Sequence, residues 1–294
     1  MHPNILYNGA LIDAACTPLS PGQAGLLNGW GVFSTIRVYD GVMFEWPRHW
    51  DRMAGDAARL RVPFPENSSA LEADLYRLIA ANRNLDTVVR VTVARNHGGL
   101  WQGPRVVRPF DVIGYTREVT KWDAVAKLDL VPHARNSASP FSGTKSMSWA
   151  ENLTLYERSR EKSLDDALLL NERGEISECT SANIFLVNKT RVWTPPLSSG
   201  CLPGITRALL LEQIRVPGIE VLEHRVLPAD VERAEEVFIT SSTRELIPVS
   251  YIDGLQIQGG HEIRDRLQTA FTEYVTSYVA EHRVESGVKQ GSTF

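Results

Sequence analysis

The chain has 294 residues, a formal net charge of −4, 43% hydrophobic and 22% charged residues, the composition of a folded globular protein. Its mild acidity supplies neither a basic stripe for nucleic acid nor a polybasic membrane patch, and no apolar run is long enough to span a bilayer. Cys16, Cys179 and Cys201 form neither a metal spacing nor a disulfide framework, which points to a reducing cytoplasm.

The N-terminal stretch has no basic and then apolar segment, so it does not read as a signal peptide. The length favours two domains over one. Ile5 to Ile12 reads as a hairpin turning at Asn8-Gly9. Gly22 to Gly31 is glycine-rich and leads into a strand from Val32 to Tyr39, an Asp40-Gly41 turn and Val42-Met-Phe. The glycine spacing is not that of a dinucleotide fingerprint, and no helix is expected to open on it.

Pro47 opens a helix that buries Trp50, Met53, Ala54 and Ala57, with His49 and Arg52 together on a neighbouring face. A second helix is expected from Ser69, capped by a Ser69–Glu72 box, with Leu71, Leu75, Leu78 and Ile79 inward. Val88 to Arg95 alternates: Arg90, Thr92 and Ala94 share one face, and Val89, Val91 and Val93 the other. A loop follows at His97-Gly98-Gly99, then a strand from Phe110. The polar run from Thr116 to Asp123 reads as a linker, which gives domains at 1–116 and 127–294 joined by 117–126. The second half opens with a strand at Lys127 and a Ser/Gly/Pro-rich loop from Asn136 to Thr144. A Ser148–Glu151 box is expected to start a helix carrying Trp149, Leu153 and Tyr156 on one side. Strands follow at Ala167–Leu170, Glu175–Glu178, Asn183–Val187 and Arg191–Thr194. A helix after Pro203-Gly204 buries Leu209, Leu210 and Ile214. A strand at Val237–Thr240 ends in Ser241-Ser242-Thr243. An amphipathic helix from His261 to Tyr278 turns Ile263, Leu267, Phe271 and Val275 inward. The tail from Val284 is polar and expected to fray.

Four features carry chemistry. Lys145 sits in a small-residue turn. A lysine there usually faces water, but Ser142 and Gly143 allow close backbone approach and the helix beyond would hold it rigidly. A lysine amine can bond an aldehyde cofactor, and a carboxylate such as Glu178 can pair with that cofactor's pyridine nitrogen. Gly204-Ile205-Thr206 at a helix start can cup a phosphate or simply cap the helix. Ser241-Ser242-Thr243 can ligate phosphate or cap, and Arg52 can clamp a phosphate or face water. His49 reads as a packing or capping residue. The inventory suits pyridoxal 5′-phosphate, which spacing alone does not name.

The runs Gly29-Trp-Gly-Val-Phe-Ser-Thr-Ile-Arg, His49-Trp-Asp-Arg52, Lys145, Gly174-Glu-Ile-Ser-Glu178 to Asn183-Ile-Phe, and Leu202-Pro-Gly-Ile-Thr-Arg resemble the class IV aminotransferases, over nearly the whole chain. That family holds branched-chain aminotransferases, D-amino acid transaminases and aminodeoxychorismate lyases. The resemblance implies a mixed α/β, two-domain fold type IV enzyme, with pyridoxal phosphate between the domains, and a cytoplasmic homodimer. It makes Lys145 the lysine bonded to the cofactor and Glu178 the partner of the ring nitrogen. Arg52, Ile205, Thr206 and Ser242 fall to the phosphate, and Phe33, Arg90 and Thr243 to the substrate. It implies transfer of an amino group from an amino acid, of branched-chain type first, to a 2-oxo acid. D-amino acid or amine transamination and pyruvate release from aminodeoxychorismate are the alternatives. Val88 and Asn28 replace aromatic residues of the branched-chain enzymes. Leu100 stands where the lyases carry an arginine, and Arg95-Asn96-His97 echoes the D-amino acid enzymes too early after its strand. A cofactor-binding protein without turnover is the reading of another class, opposed by the intact Lys145–Glu178 pair.

Overall fold

The computed structural model describes residues 1–16, 23–99 and 107–283; the Gly22 end of the glycine-rich stretch, Leu100 and the tail from Val284 fall outside them. The first half contains β1 (Asn4–Tyr7), β2 (Ala10–Asp13), α1 (Ala24–Asn28), β3 (Gly31–Tyr39), β4 (Val42–Met43), α2 (Trp46–Arg59), α3 (Ser68–Asn82), β5 (Thr87–Arg95) and β6 (Phe110–Arg117). Its strands form an antiparallel sheet in the order β2-β1-β6-β5-β3-β4. The tight turns at Asn8-Gly9 and Asp40-Gly41 put both central residues at positive φ, as a two-residue hairpin turn requires.

The alternation of β5 sets the layers. Val89, Val91 and Val93 enter one core with Met53 and Ala57 of α2 and Leu71, Leu75, Leu78 and Ile79 of α3. Arg90 therefore leaves by the opposite face of the sheet. Two starting signals differ from expectation. α3 is capped by Asn67, whose side chain accepts from the Ala70 N–H at 2.9 Å, rather than by a Ser69–Glu72 box. The short α1 does form in the glycine-rich stretch, stopped by Gly29 at φ +62°. It feeds antiparallel strand β3, so no βαβ unit arises.

The second half contains β7 (Ala126–Arg135), α4 (Ala150–Glu161), β8 (Asp166–Asn171), β9 (Ile176–Cys179), β10 (Asn183–Asn188), β11 (Arg191–Thr194), α5 (Ile205–Glu212), β12 (Glu220–Glu223), α6 (Pro228–Glu232), β13 (Glu236–Ser241), β14 (Glu245–Ile252), β15 (Leu255–Gln256) and α7 (Glu262–Arg283). Its mixed sheet runs β12-β11-β10-β13-β14-β7-β8-β9, with β15 on β14. β10 and β13 are apolar on both faces because both faces are covered. Ile184, Leu186, Val237 and Ile239 enter one core, while Phe185 and Phe238 stack at 5.0 Å in another with α5 and α7.

α7 also braces the two halves. Glu236 accepts from the Ile263 and Arg264 N–H groups at 2.9 Å each, satisfying the helix start with a carboxylate. Phe44, just after β4, packs edge-on against Phe271, Tyr274 and Tyr278. Tyr274 Oη donates to Glu45 at 2.6 Å and Tyr39 Oη to Glu245 at 2.8 Å. α4 departs from expectation. Ser148 donates to the Gly29 carbonyl at 3.1 Å instead of capping the helix, and Leu153 is exposed rather than core. No helix of the described residues is long and apolar enough to cross a membrane.

Phe271 is 2% exposed at the seam of both halves. Phe271→Ala is expected to cost about 3–5 kcal/mol, read as a lowered urea midpoint.

Candidate active site

A cavity of about 650 Å³ opens between the outer face of the first sheet and the β7–β8–β9 end of the second, a size suited to a cofactor plus a small substrate. Lys145, Arg52, Glu178, Ile205, Thr206, Ser242, Phe33, Arg90 and Thr243 all line it. Arg95, Asn96 and His97 do not. The Arg95 guanidinium instead stacks on Trp30 and donates to the Arg61 and His97 carbonyls.

The lysine is delivered by an annexed edge. The Phe33 N–H donates to the Lys145 carbonyl at 3.2 Å and the Met147 N–H to the Gly31 carbonyl at 2.9 Å, so residues 145–147 pair with the free edge of β3. At Gly31 any Cβ would strike Met147 Sδ and the Val93 carbonyl, so glycine permits that approach. Gly143 lines the cavity at φ +70°, and a Cβ there would strike the Cys201 carbonyl. Lys145 Nζ stands 4.6 Å from the Phe33 ring centre and 5.5 Å from that of Trp149. Trp149 thus lies in the cavity wall, edge-on to Phe33 at 5.6 Å, and not in a helix core. By surface area Lys145 is half-buried, yet its amine is surrounded by protein. Burial, then Arg52 and Arg90, lower its pKa to about 7, against the opposing pull of Glu178 and Asp56.

Glu178, one residue from the end of β9, has both oxygens engaged: Arg135 Nε donates at 3.0 Å and the Leu202 N–H at 3.0 Å. Arg135 also donates to Asn152 at 3.2 Å, and Asn152 to the Thr180 carbonyl at 2.6 Å. Arg135 compensates the buried carboxylate and aims it. Sequence reading missed it; its only signal is an arginine closing a strand just before the lysine loop.

Arg52 rises from α2, its Nη2 donating to Ser34 Oγ at 3.0 Å and its Nη1 to the Pro203 carbonyl at 3.3 Å. Its Nε is buried without a partner, and burial lowers its pKa to about 10. His49 shares the same Ser34 hydroxyl at 2.7 Å; burial and then Arg52 push its pKa well down, so it stays neutral and structural. Across from Arg52, Gly204 caps α5 with no side chain on the helix start, and a Cβ there would strike Asn183 Oδ1. The orphaned Nε, the uncapped helix start at Ile205-Thr206 and the buried, unpartnered Thr240 hydroxyl are the donors that a phosphate needs. Arg207, next in sequence, turns away and pairs with Glu223 at 2.5 Å. The residues therefore fit pyridoxal phosphate: an amine, a carboxylate and an anion cradle border one space. No cluster of metal-binding side chains occurs among the described residues.

Asp166, also missed from sequence, ties the far wall together. It is fully buried and accepts from the Thr180 N–H at 3.1 Å, Ser181 Oγ at 2.9 Å and Arg244 Nη2 at 3.0 Å, and from the Thr180 hydroxyl. That joins the turn after Glu178 to the Ser242-Thr243 turn, whose Thr243 carbonyl accepts from Trp122 Nε1 at 2.9 Å.

A sequence model of the amino-transferase class IV family matches residues 31–252. A Methanocaldococcus jannaschii protein provisionally named branched-chain-amino-acid aminotransferase is 29% identical over 279 residues, covering 93% of this chain and 97% of its own. The D-alanine aminotransferase of Bacillus licheniformis is 27% identical over 289 residues, covering 94% and 99%. A T.th. branched-chain amino acid aminotransferase, solved in complex with N-(5′-phosphopyridoxyl)-L-glutamate, superposes with a TM-score of 0.83 at 25% identity, covering 94% of this chain and 95% of that one.

A lysine amine with a pKa near 7 is half free at neutral pH. In the cofactor-free protein, Lys145 is expected to be acylated with a pH midpoint near 7, about three units below an ordinary lysine, as read by peptide mass spectrometry.

Proposed function

The chain belongs to the class IV amino-transferase family and is a pyridoxal-phosphate-dependent aminotransferase; from that premise we propose that the cavity described above is its active site and that branched-chain amino acids are its amino donors. The observation that carries this reading is the convergence of the Lys145 amine, the Glu178 carboxylate and the Arg52–α5 cradle on one space. Residues 1–116 and 127–294 are two domains joined by 117–126, with the cofactor between them.

When bound, the cofactor supplies an aldehyde that takes up the amino group and a ring that accepts the electron pair of the substrate Cα–H bond. Lys145 would be the covalent anchor and, once freed, would hold and pass on a proton at Nζ. A pKa near 7 suits both duties, because acceptor and donor forms are then both populated. Glu178, held in place by Arg135 and the Leu202 N–H, would pair with the ring nitrogen. Arg52, the Ile205 and Thr206 N–H groups, the Thr206 hydroxyl and Ser242 would hold the phosphate and so orient the ring.

On the substrate side Arg90 lies over the Phe33 ring at 3.6 Å, on the cavity face of β5. It makes no carboxylate ion pair among the described residues, which leaves it for the substrate carboxylate. Phe33, Trp122 and Trp149 offer apolar surface to a side chain, with Thr243 at the rim. A second copy of the chain completes the site: Phe141 and Leu153 line the cavity while 55% and 48% exposed, an arrangement suited to cover by a partner. The D-alanine aminotransferase relative keeps D-amino acids as the second reading.

Lys145→Ala is expected to abolish turnover and the visible absorbance of the lysine-bound cofactor; a retained band refutes the assignment. Arg52→Ala is expected to weaken pyridoxal phosphate binding by about 10- to 100-fold, read by titration. Adding L- and D-amino acids and amines singly, while following conversion of the cofactor to its aminated form, separates the donor classes. Pyruvate release without any keto-acid acceptor would mark a lyase.

A further inference from the structure

α2 presents Arg52, Asp56 and Arg59 at i, i+4 and i+7, one face of the helix. That face is the bed of the lysine loop. Arg59 Nη1 donates to Thr144 Oγ1 at 3.0 Å and to the Ser142 carbonyl at 3.4 Å, and Arg52 reaches Pro203. Between them, Asp56 Oδ2 accepts from the Lys145 main-chain N–H at 3.1 Å, with only 4% of Asp56 exposed. We propose that Asp56 is the positioning residue of the Lys145 amine: its carboxylate fixes the main chain bearing that amine and sets a negative charge among the arginines surrounding it.

A neutral acceptor would satisfy the same N–H at a lower desolvation cost, so the charge itself needs a reason. The groups facing the Lys145 amine supply it. From α2 come Arg52, Asp56 and neutral His49, from β5 Arg90, and from β9 Glu178. The two arginines disfavour a proton on the amine, and the two carboxylates favour it. Both Glu178 oxygens are already donated to by Arg135 and Leu202. Asp56 uses one oxygen on the lysine's own backbone; burial raises its pKa, opposed by that hydrogen bond and by the charges of Arg52, Arg59 and Lys145. It is therefore, with Glu178, one of two negative charges that favour a protonated Lys145.

The inference rests on reading Lys145 as the cofactor lysine, and the test separates the two. Asp56→Asn and Asp56→Ser keep an oxygen acceptor and remove the charge. In the cofactor-free variants the pH midpoint of Lys145 acylation, read by mass spectrometry, is expected to fall by about one pH unit. One unit below the wild-type midpoint, labelling should then run about five-fold faster than in wild type. The visible absorbance of the holoenzyme variants should titrate at correspondingly lower pH. A role as a mere loop latch would lower the melting temperature and leave both midpoints in place. An unmoved midpoint in either folded variant overturns the proposal, and the serine variant decides should the asparagine variant not fold. Persistence of the visible band in Lys145→Ala would remove the cofactor reading alone, while the acylation arm still decides the part played by Asp56.

Discussion

The pairing of residues 145–147 with the free edge of β3 is the constraint on which the site depends. A lysine in a loop would ordinarily sample many positions. Here two backbone hydrogen bonds make its segment a partial strand, so its Cα position is as well defined as the sheet's. The cost is steric, met at Gly31, where no side chain fits between the Met147 sulfur and the neighbouring strand. Asp56 adds a third main-chain tie from the other side. The reactive amine thus belongs to the second half of the chain in sequence and to the first sheet in its hydrogen bonding. The brace through Phe44, Tyr274 and Glu45 closes the same join from the back.

Two buried ionic groups organise the opposite wall. Arg135–Glu178 and Asp166–Arg244 each join segments distant in the chain, and each carboxylate is met by backbone N–H groups as well as an arginine. Buried pairs of this kind add little net stability, because desolvation offsets most of their attraction. Their use here is geometric. Each allows few arrangements of the chain around it, and between them they hold the turns at Thr180–Ser181 and Ser242–Thr243.

Periodic elements were legible from the residues: the valine alternation of β5, the apolar faces of α3 and α7, and the α5 start at Gly204; on α2, Met53 and Ala57 are buried as expected, while Trp50 and Ala54 are only partly so. The nine site residues expected from the resemblance to class IV aminotransferases all face one cavity. What escaped were features that depend on tertiary contact. Ser69 and Ser148 sit in sequences that look like capping boxes, yet Asn67 reaches the first helix sooner and Ser148 is drawn to the Gly29 carbonyl. Leu153 follows a helical period but faces the cavity mouth instead of a core. Arg135, Asp166 and Arg244 look like surface charges until the strands that bury them are assembled. Asp56 falls on the helix face that the apolar pattern ignores.

The electrostatics of the cavity follow from the same assembly. Arg52 and Arg90 border the same cavity as Lys145, and arginines beside a lysine drive off its proton. Burial acts in the same direction: the surroundings that attract anionic ligands also expose a free amine near neutral pH. Binding reverses part of this balance. Negative charges brought to Arg52 and Arg90 would offset them, and protonation of Nζ would then be easier. On the proposed role of Lys145, the amine would be most nucleophilic without ligands and better able to hold a proton with them, the order that bonding followed by proton transfer requires.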